Sequence, residues 1–331
     1  MSAQQHREIL AAPAYVPADD ARPVPGPIAV LPEPVQLFVD AVESAGGRVS
    51  ALSEETRGLI WLDPSGSERF GQVLSDNPQL SWIQLPYAGV DAFADILKRF
   101  ARPTLTVTSA KGAFAQPVAE HALMLALALL RRLPLRLSAT SWGDGTVGTS
   151  LYGLHVVIVG AGGIAIELIR LLRAFGVTIT VVRRGSEPVD GASATVSTND
   201  LDAILPTADV VVLAAALTDD TRGLIGGRQF AEMKNSAVLV NIGRGGLIVT
   251  DALVDAIQTG SIAGAGIDVT DPEPLPDGHP LWIAPNIIIT PHSADTPAMT
   301  RPLLARRVSN NTRAFLGRGG FDGVVDPVVG Y

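Results

Sequence analysis

The sequence has 331 residues, of which 47% are hydrophobic and 18% charged, with a formal net charge of −8. This length favours two domains, and the composition is typical of folded globular proteins rather than of disordered chains. The lack of cysteine excludes disulfides, thiolate nucleophiles and cysteine-bound metals, and the evenly spread charge argues against a nucleic-acid-binding surface.

The first 27 residues are proline-rich and lack an apolar core of signal-peptide length, so we expect a tail or an arm there. The longest apolar run, at 122–130, is far shorter than the roughly 20 residues needed to span a bilayer. These features favour a cytoplasmic protein that does not enter a membrane.

The first part of the chain alternates strand and helix patterns. A helix is predicted at 35–45, and apolar or β-branched runs predict strands at 28–31, 58–62, 80–85 and 104–108. Strands separated by helical patterns are typical of α/β layers with parallel pairing.

A long apolar helix is predicted next, at 118–130, with Arg131, Arg132 and Pro134 at its end. We expect the cations to suit the helix dipole and the proline to stop the helix. A glycine- and serine-rich loop is predicted at 138–153. A second α/β series follows, with a last helix at 297–316 and strands at 155–159, 178–182, 210–214, 237–241, 263–268 and 287–290.

A glycine-rich turn follows the strand at 155–159 and precedes a helix predicted at 164–175. Gly160 permits a tight bend, Gly162 lets the backbone approach a pyrophosphate, and Ala165 is small enough for helix–strand packing. Free N–H groups at the helix start would bind the phosphates. The motif is weak alone, but a strand before it and a helix after it favour a dinucleotide site made of Gly160, Ala161, Gly162, Gly163 and Ile164.

The end of the following strand indicates which dinucleotide binds. NAD-preferring sites place a carboxylate there to accept bonds from the ribose hydroxyls, whereas this chain has Arg183. A guanidinium can pair with a 2′-phosphate, so we predict a preference for NADP over NAD, with Arg183, Arg184 and Ser186 forming the phosphate pocket. The alternative is that both arginines are solvated surface residues.

Three later segments each deliver one chemically active side chain just after a predicted strand. They are Arg244 between glycines, Glu273 between prolines, and His292 after Pro291. Open α/β sheets bind ligands at this carboxyl edge. Each residue alone has an ordinary explanation as surface or turn, so the prediction depends on the three occurring together.

These segments, in this order and spacing, resemble the D-isomer-specific 2-hydroxyacid dehydrogenase family. Other segments that carry the resemblance are 86–91, 118–121, 279–282 and 324–327. The resemblance covers nearly all of the chain after residue 27. It implies two Rossmann-like, doubly wound α/β domains: a discontinuous substrate domain at 1–110 and 295–331, with a cofactor domain at 111–294 inserted.

The resemblance also implies the roles of the site residues. Hydride attack on a keto carbon leaves negative charge on oxygen, which calls for a proton donor and a cation. His292 would be the acid in reduction and the base in oxidation, and an ionised Glu273 would favour its protonated form. Arg244 would hold the substrate carboxylate and polarise the carbonyl. Further substrate contacts are implied at Tyr87, Ala88, Gly89 and Val90, and further cofactor contacts at Ala215, Ala216, Leu217, Thr221, Ile242, Gly243, Arg244, Asp268 and His292.

Three positions depart from the commoner family pattern. Ala216 stands where proline is usual, and Ser109 where asparagine is frequent. Tyr87 could either narrow the substrate pocket or pack outward. The change at Ala216 removes no catalytic group.

The predicted function is therefore reduction of a small 2-oxo acid, such as glyoxylate or hydroxypyruvate, by NADP(H) or NAD(H). We expect a homodimer, as is usual in the family, and no metal. The alternatives are a dinucleotide-sensing, corepressor-like protein without turnover and a phosphoglycerate dehydrogenase. Formate dehydrogenase is disfavoured because Glu273 stands where that enzyme carries glutamine.

Overall fold

The computed structural model describes residues 5–63, 67–143 and 147–327. The chain forms two compact units, one of 1–114 with 297–331 and the other of 115–296. The boundaries predicted from the sequence lie at 110 and 295. Both units are α/β with parallel sheets, so the predicted fold class is confirmed.

The first unit contains a four-stranded parallel sheet in the order β1-β2-β3-β4. Val49 forms a parallel bridge with Ile28 on the other side of β1, so the order reverses there, as in doubly wound sheets. The strands are β1 Ile28–Leu31, β2 Gly58–Trp61, β3 Trp82–Gln84 and β4 Thr106–Thr108. The helices are α1 Gln36–Ser44, α2 Ser67–Asp76, α3 Ala94–Phe100 and α10 Pro297–Phe315.

The proline-rich beginning of the chain is an arm held against the first unit. Tyr15 and Phe321 exchange backbone hydrogen bonds of 2.8 and 2.7 Å, and the Ile9 N–H donates to the Gly112 carbonyl. Arg307, fully buried on α10, pairs with Glu8 at 3.0 Å and donates to the Ser109 carbonyl. The arm thus contacts this unit through Glu8, Ile9 and Tyr15, while residues 10–15 are exposed.

The second unit contains a seven-stranded parallel sheet in the order β11-β10-β9-β8-β5-β6-β7. The order reverses between β5 and β8, which is the switch point of a Rossmann fold. The strands are β5 His155–Val159, β6 Thr178–Arg183, β7 Ala194–Ser197, β8 Val210–Leu213, β9 Val238–Asn241, β10 Gly264–Ile267 and β11 Ile287–Ile289. The helices are α4 Ala115–Leu130, α5 Leu133–Leu137, α6 Gly163–Leu172, α7 Leu201–Ile204, α8 Gly227–Glu232 and α9 Thr250–Gln258.

The end of α4 differs from the prediction. The helix ends because Arg132 adopts a left-handed conformation, with φ 52°. Pro134 does not stop the helix but lies in the first turn of α5, where its missing N–H costs nothing. No helix in the described parts of the chain is long and apolar enough to cross a membrane.

Candidate functional site

The turn after β5 has the geometry expected of the dinucleotide motif. Gly160 has a φ of 116°, and a Cβ there would lie 2.5 Å from the Ala214 carbonyl, so only glycine fits. A Cβ at Gly162 would meet nothing within 4 Å, which leaves open space at the start of α6. Gly162 is the N-cap and has no side chain to accept the helix N–H groups, so these suit an anion. Ala165 is buried, as close packing requires.

Arg183 is the last residue of β6, beside the end of β5 that carries the glycine turn. Its guanidinium lies 3.7 Å from the carboxylate of Glu187, a partner that the sequence analysis missed. Arg184 and Ser186 are exposed on the same loop. The three predicted residues therefore lie at the end of β6 and in the loop after it, and the Glu187 carboxylate is next to Arg183.

Arg244 follows β9, where Asn241 fixes the backbone of the turn. The Asn241 amide donates to the Arg244 carbonyl at 2.9 Å, and its oxygen accepts the Gly243 N–H at 3.1 Å. The Arg244 guanidinium donates to the Gly243 carbonyl at 2.8 Å. Because Asn241 is fully buried, the position of Arg244 is set by the core of the sheet.

The predicted cofactor segment at 215–217 lies beside this turn. A Cβ on Gly243 would be 2.9 Å from the Ala215 carbonyl, and one on Gly246 would be 3.1 Å from Leu217. The Thr221 hydroxyl donates to the Ala216 carbonyl at 2.7 Å. Thr221 therefore holds the backbone at the position where the family usually has proline.

His292 and Glu273 meet although 19 residues separate them. The ring Nδ1 of His292 lies 2.7 Å from Oε1 of Glu273, and the two side chains are 52% and 42% exposed. The other carboxylate oxygen of Glu273 accepts the Thr270 N–H at 3.2 Å. One carboxylate oxygen of Glu273 is thus fixed by a backbone N–H, and the other contacts the imidazole of His292.

The backbone of His292 is left-handed, with φ 50°, and its N–H donates to the Asp268 carbonyl at 2.8 Å. The Asp268 carboxylate accepts the N–H groups of Ser293 and Ala294 at 2.9 and 3.1 Å. Asp268, predicted only as a cofactor contact, therefore also supports the turn that carries His292. Thr290 and His121 complete this support, and the sequence analysis assigned neither of them a role.

Asp295 is a second carboxyl group near this turn that the sequence analysis missed. Burial raises its pKa above the ordinary value, and the negative charge of Asp268 adds to that shift, while His292 opposes it. Nothing in the residue pattern around Asp295 indicates this shift, because it depends on neighbours that only folding brings close.

The predicted substrate residues Tyr87, Ala88, Gly89 and Val90 follow β3 in the first unit. The Tyr87 carbonyl accepts the Ala110 N–H at 2.9 Å, while its side chain is exposed. The Ser109 hydroxyl donates to the Ala88 carbonyl at 3.4 Å. Ser109, where the family often has asparagine, therefore contacts this loop through its hydroxyl.

In the second unit all strands run parallel, so their carboxyl ends share one edge of the sheet. The glycine turn, Arg183, the 215–217 segment, Arg244 and His292 all follow strands at that edge. The edge thus combines a helix start without a side-chain cap, a guanidinium and a carboxylate-paired imidazole, which suits binding of a dinucleotide and proton transfer to a substrate oxygen.

Comparison with known proteins gives consistent matches. Residues 122–294 match the family profile described as D-isomer specific 2-hydroxyacid dehydrogenase, NAD binding domain. The chain is 34% identical to a glyoxylate reductase/hydroxypyruvate reductase of Mus musculus over 262 residues, which cover 76% of this chain and 79% of that protein. It is 32% identical to a glycerate dehydrogenase of Methylorubrum extorquens, with 74% and 78% covered.

A solved structure gives the same answer. An NADPH-dependent glyoxylate/hydroxypyruvate reductase from Sinorhizobium meliloti, in complex with NADP and sulfate, is 25% identical with a TM-score of 0.76. The match covers 92% of this chain and 100% of that one. The resemblance seen in the motifs is therefore confirmed, and the chain belongs to the D-isomer-specific 2-hydroxyacid dehydrogenases, a family of NAD(P)-dependent oxidoreductases.

Proposed function

We propose that this dehydrogenase reduces glyoxylate, hydroxypyruvate or a similar small 2-oxo acid to the D-2-hydroxy acid. The observation that carries the proposal is the 2.7 Å contact between His292 and Glu273 at the edge of the sheet that also carries Arg244 and the glycine turn. Relatives named glyoxylate/hydroxypyruvate reductase and glycerate dehydrogenase support this substrate class.

The residue roles follow from the chemistry of the reaction. When bound, the reduced nicotinamide supplies a hydride to the keto carbon. Since Nδ1 of His292 faces Glu273, Nε2 is the ring atom that gives a proton to the keto oxygen and takes it back in oxidation. Arg244 binds the substrate carboxylate and polarises the carbonyl. Ala88, Gly89 and Val90 are likewise proposed as substrate contacts through their backbone N–H groups.

The test is a panel of 2-oxo acids assayed with NADPH and NADH, using wild type and Arg244→Lys. The Lys variant keeps the charge but loses the planar fork, so we expect its KM for the 2-oxo acid to rise about tenfold or more. Binding of the dinucleotide without turnover of any 2-oxo acid would refute the enzymatic proposal and favour a dinucleotide sensor.

We further propose that NADP is preferred over NAD. Arg183 lies at the end of β6 where a carboxylate would otherwise accept bonds from the ribose, and a 2′-phosphate can replace Glu187 as its partner. The more charged phosphate makes stronger, bidentate bonds to guanidinium than an exposed carboxylate does.

The test compares dissociation constants for NADP and NAD in Arg183→Ala. Loss of a charge-assisted hydrogen bond of about 1.5–3 kcal/mol should raise the dissociation constant of NADP about ten- to hundredfold and leave that of NAD nearly unchanged. Arg173→Ala is the matched control, because Arg173 also pairs with an exposed carboxylate, that of Asp190, at 3.7 Å. Equal weakening of both dinucleotides in Arg183→Ala would contradict the preference.

We also propose that the protein forms a homodimer. Most residues of α4 are buried within the second unit, so its apolar character is explained by the core. Exposed apolar side chains lie just after it, on α5 and the following loop, where Leu135 and Leu137 are 58% and 78% exposed and Trp142 is also exposed. Large exposed apolar side chains of this kind are typical of a protein contact.

The dimer is tested by sedimentation velocity with a Leu135→Glu, Leu137→Glu double variant. Two buried charges at the contact should convert the dimer to monomer. Ile283→Glu is the control, since Ile283 is equally apolar and 88% exposed but is not part of α5. A wild-type protein that sediments as a monomer would refute the proposal.

A further inference from the structure

A largely buried polar cluster lies beneath the turn of His292, and the roles proposed above do not use all of it. His121 projects from the apolar helix α4, and its side chain is only 14% exposed. Its ring Nε2 lies 3.0 Å from the hydroxyl oxygen of Thr290 and 3.6 Å from Oδ1 of Asp268. Burying a polar side chain on such a helix lowers the stability of the fold unless its hydrogen bonds are made.

The direction of these hydrogen bonds can be deduced. The Thr290 hydroxyl has one hydrogen, which it donates to Oδ1 of Asp268 at 2.6 Å. Its oxygen can therefore only accept from His121, which requires that Nε2 of His121 carries a hydrogen. The chain of donors runs from His121 through Thr290 to Asp268, and each bond in such a chain polarises the next.

Asp268 connects this chain of hydrogen bonds to the turn that carries His292. Its carboxylate accepts the Ser293 and Ala294 N–H groups, and its carbonyl accepts the His292 N–H at 2.8 Å. The left-handed φ of 50° at His292 is unfavourable for a residue with a Cβ, so the turn needs these bonds to persist.

We propose that His121 is a positioning residue for His292, acting through Thr290 and Asp268. It anchors the Asp268 carboxylate to α4, a helix of the unit's core, and so fixes the direction in which the imidazole of His292 points. The effect on catalysis rests on the proposed function, whereas the effect on the turn does not.

The test uses His121→Leu, His121→Gln and the control Glu120→Gln, which changes an exposed neighbour on α4. Removing one donor should lower kcat about threefold to tenfold, with KM changed less than twofold. Hydrogen exchange at the amides of Ser293 and Ala294, measured by NMR, should become faster by a similar factor. Gln keeps an N–H donor at this reach, so His121→Gln should restore both quantities close to wild type.

Thr290→Val provides the second line of evidence, because it breaks the same chain while leaving His121 in place. The double variant with His121→Leu should be no worse than the more affected single variant, since both act through one path. Wild-type exchange at Ser293 and Ala294 in His121→Leu would overturn the proposal, as would additive effects or failure of Gln to rescue. The hydrogen-exchange measurement does not require turnover of a 2-oxo acid. It therefore tests the role of His121 independently of the proposed enzymatic function.

Discussion

Replacement of Glu273 by glutamine separates the charge of this residue from its place in the structure. Glutamine keeps an oxygen near Nδ1 of His292, where Oε1 now lies at 2.7 Å, but it carries no charge. Both side chains are about half exposed, so water screens their attraction and the full Coulomb energy at this distance does not apply. Exposed pairs contribute up to about 1 kcal/mol, which corresponds to about a fivefold change in rate when the imidazolium is the proton donor.

The assay is kcat/KM for glyoxylate with NADPH near neutral pH. Glu273→Gln should lose about fivefold. Glu273→Ala also loses the hydrogen bond that orients the ring, and should lose about ten- to hundredfold. Asp277→Asn, which removes a carboxylate from the same exposed segment, should match wild type. Full activity in the Gln variant, or an Ala variant no worse than Gln, would refute the assignment of Glu273 as the partner of His292.

Three further predictions concern ionisable residues of the second unit. His292→Ala should lower kcat by about 10²–10⁴, the usual contribution of a general acid, and wild-type rates would remove His292 from that role. Asp295→Asn should stabilise the protein near neutral pH. Burial, and then the charge of Asp268, raises the Asp295 pKa. Protonated Asp295 therefore contributes stability that is complete below the unfolded pKa of about 3.9 and is lost as the pH rises through the folded pKa. Asp209→Asn should have the opposite sign. Burial acts against the Asp209 charge, but hydrogen bonds from a backbone N–H and from Lys234 outweigh it and lower the pKa, so the stabilisation is present above about 3.9 and is lost as the pH falls through the folded value. Chemical denaturation of the Asp295→Asn and Asp209→Asn variants as a function of pH measures both changes in unfolding free energy. A difference from wild type that does not vary with pH would contradict these predictions.

The sequence predicts strands best where apolar residues are continuous. The strands Ile28–Leu31 and His155–Val159 lie at the predicted residues because each contains four consecutive apolar residues. The edge strand Ala194–Ser197 was missed, since its residues are partly exposed and polar residues alternate in it. Helix Thr250–Gln258 was missed as well, although its apolar spacing is visible once the bounds are known.

The candidate site shows the same limit. Arg244, Glu273 and His292 could be predicted because each follows a strand in a segment whose pattern resembles a known family. His121 could not, because its partner Thr290 is 169 residues away and a histidine in an apolar helix has no pattern of its own. Glu187 is close to Arg183 in sequence, but the residue pattern does not show that the loop brings the Glu187 carboxylate next to the Arg183 guanidinium.

The arm at the beginning of the chain limits how the protein can be shortened. Arg307 is fully enclosed, and the carboxylate 3.0 Å from it comes from Glu8. Proteolysis or a recombinant chain that removes the first dozen residues would leave a guanidinium in the interior without this counter-charge. Loss of one member of an enclosed ion pair costs about 3–5 kcal/mol, a large part of the stability of most domains. The proline-rich stretch, which composition alone would suggest trimming before crystallisation, should therefore be retained.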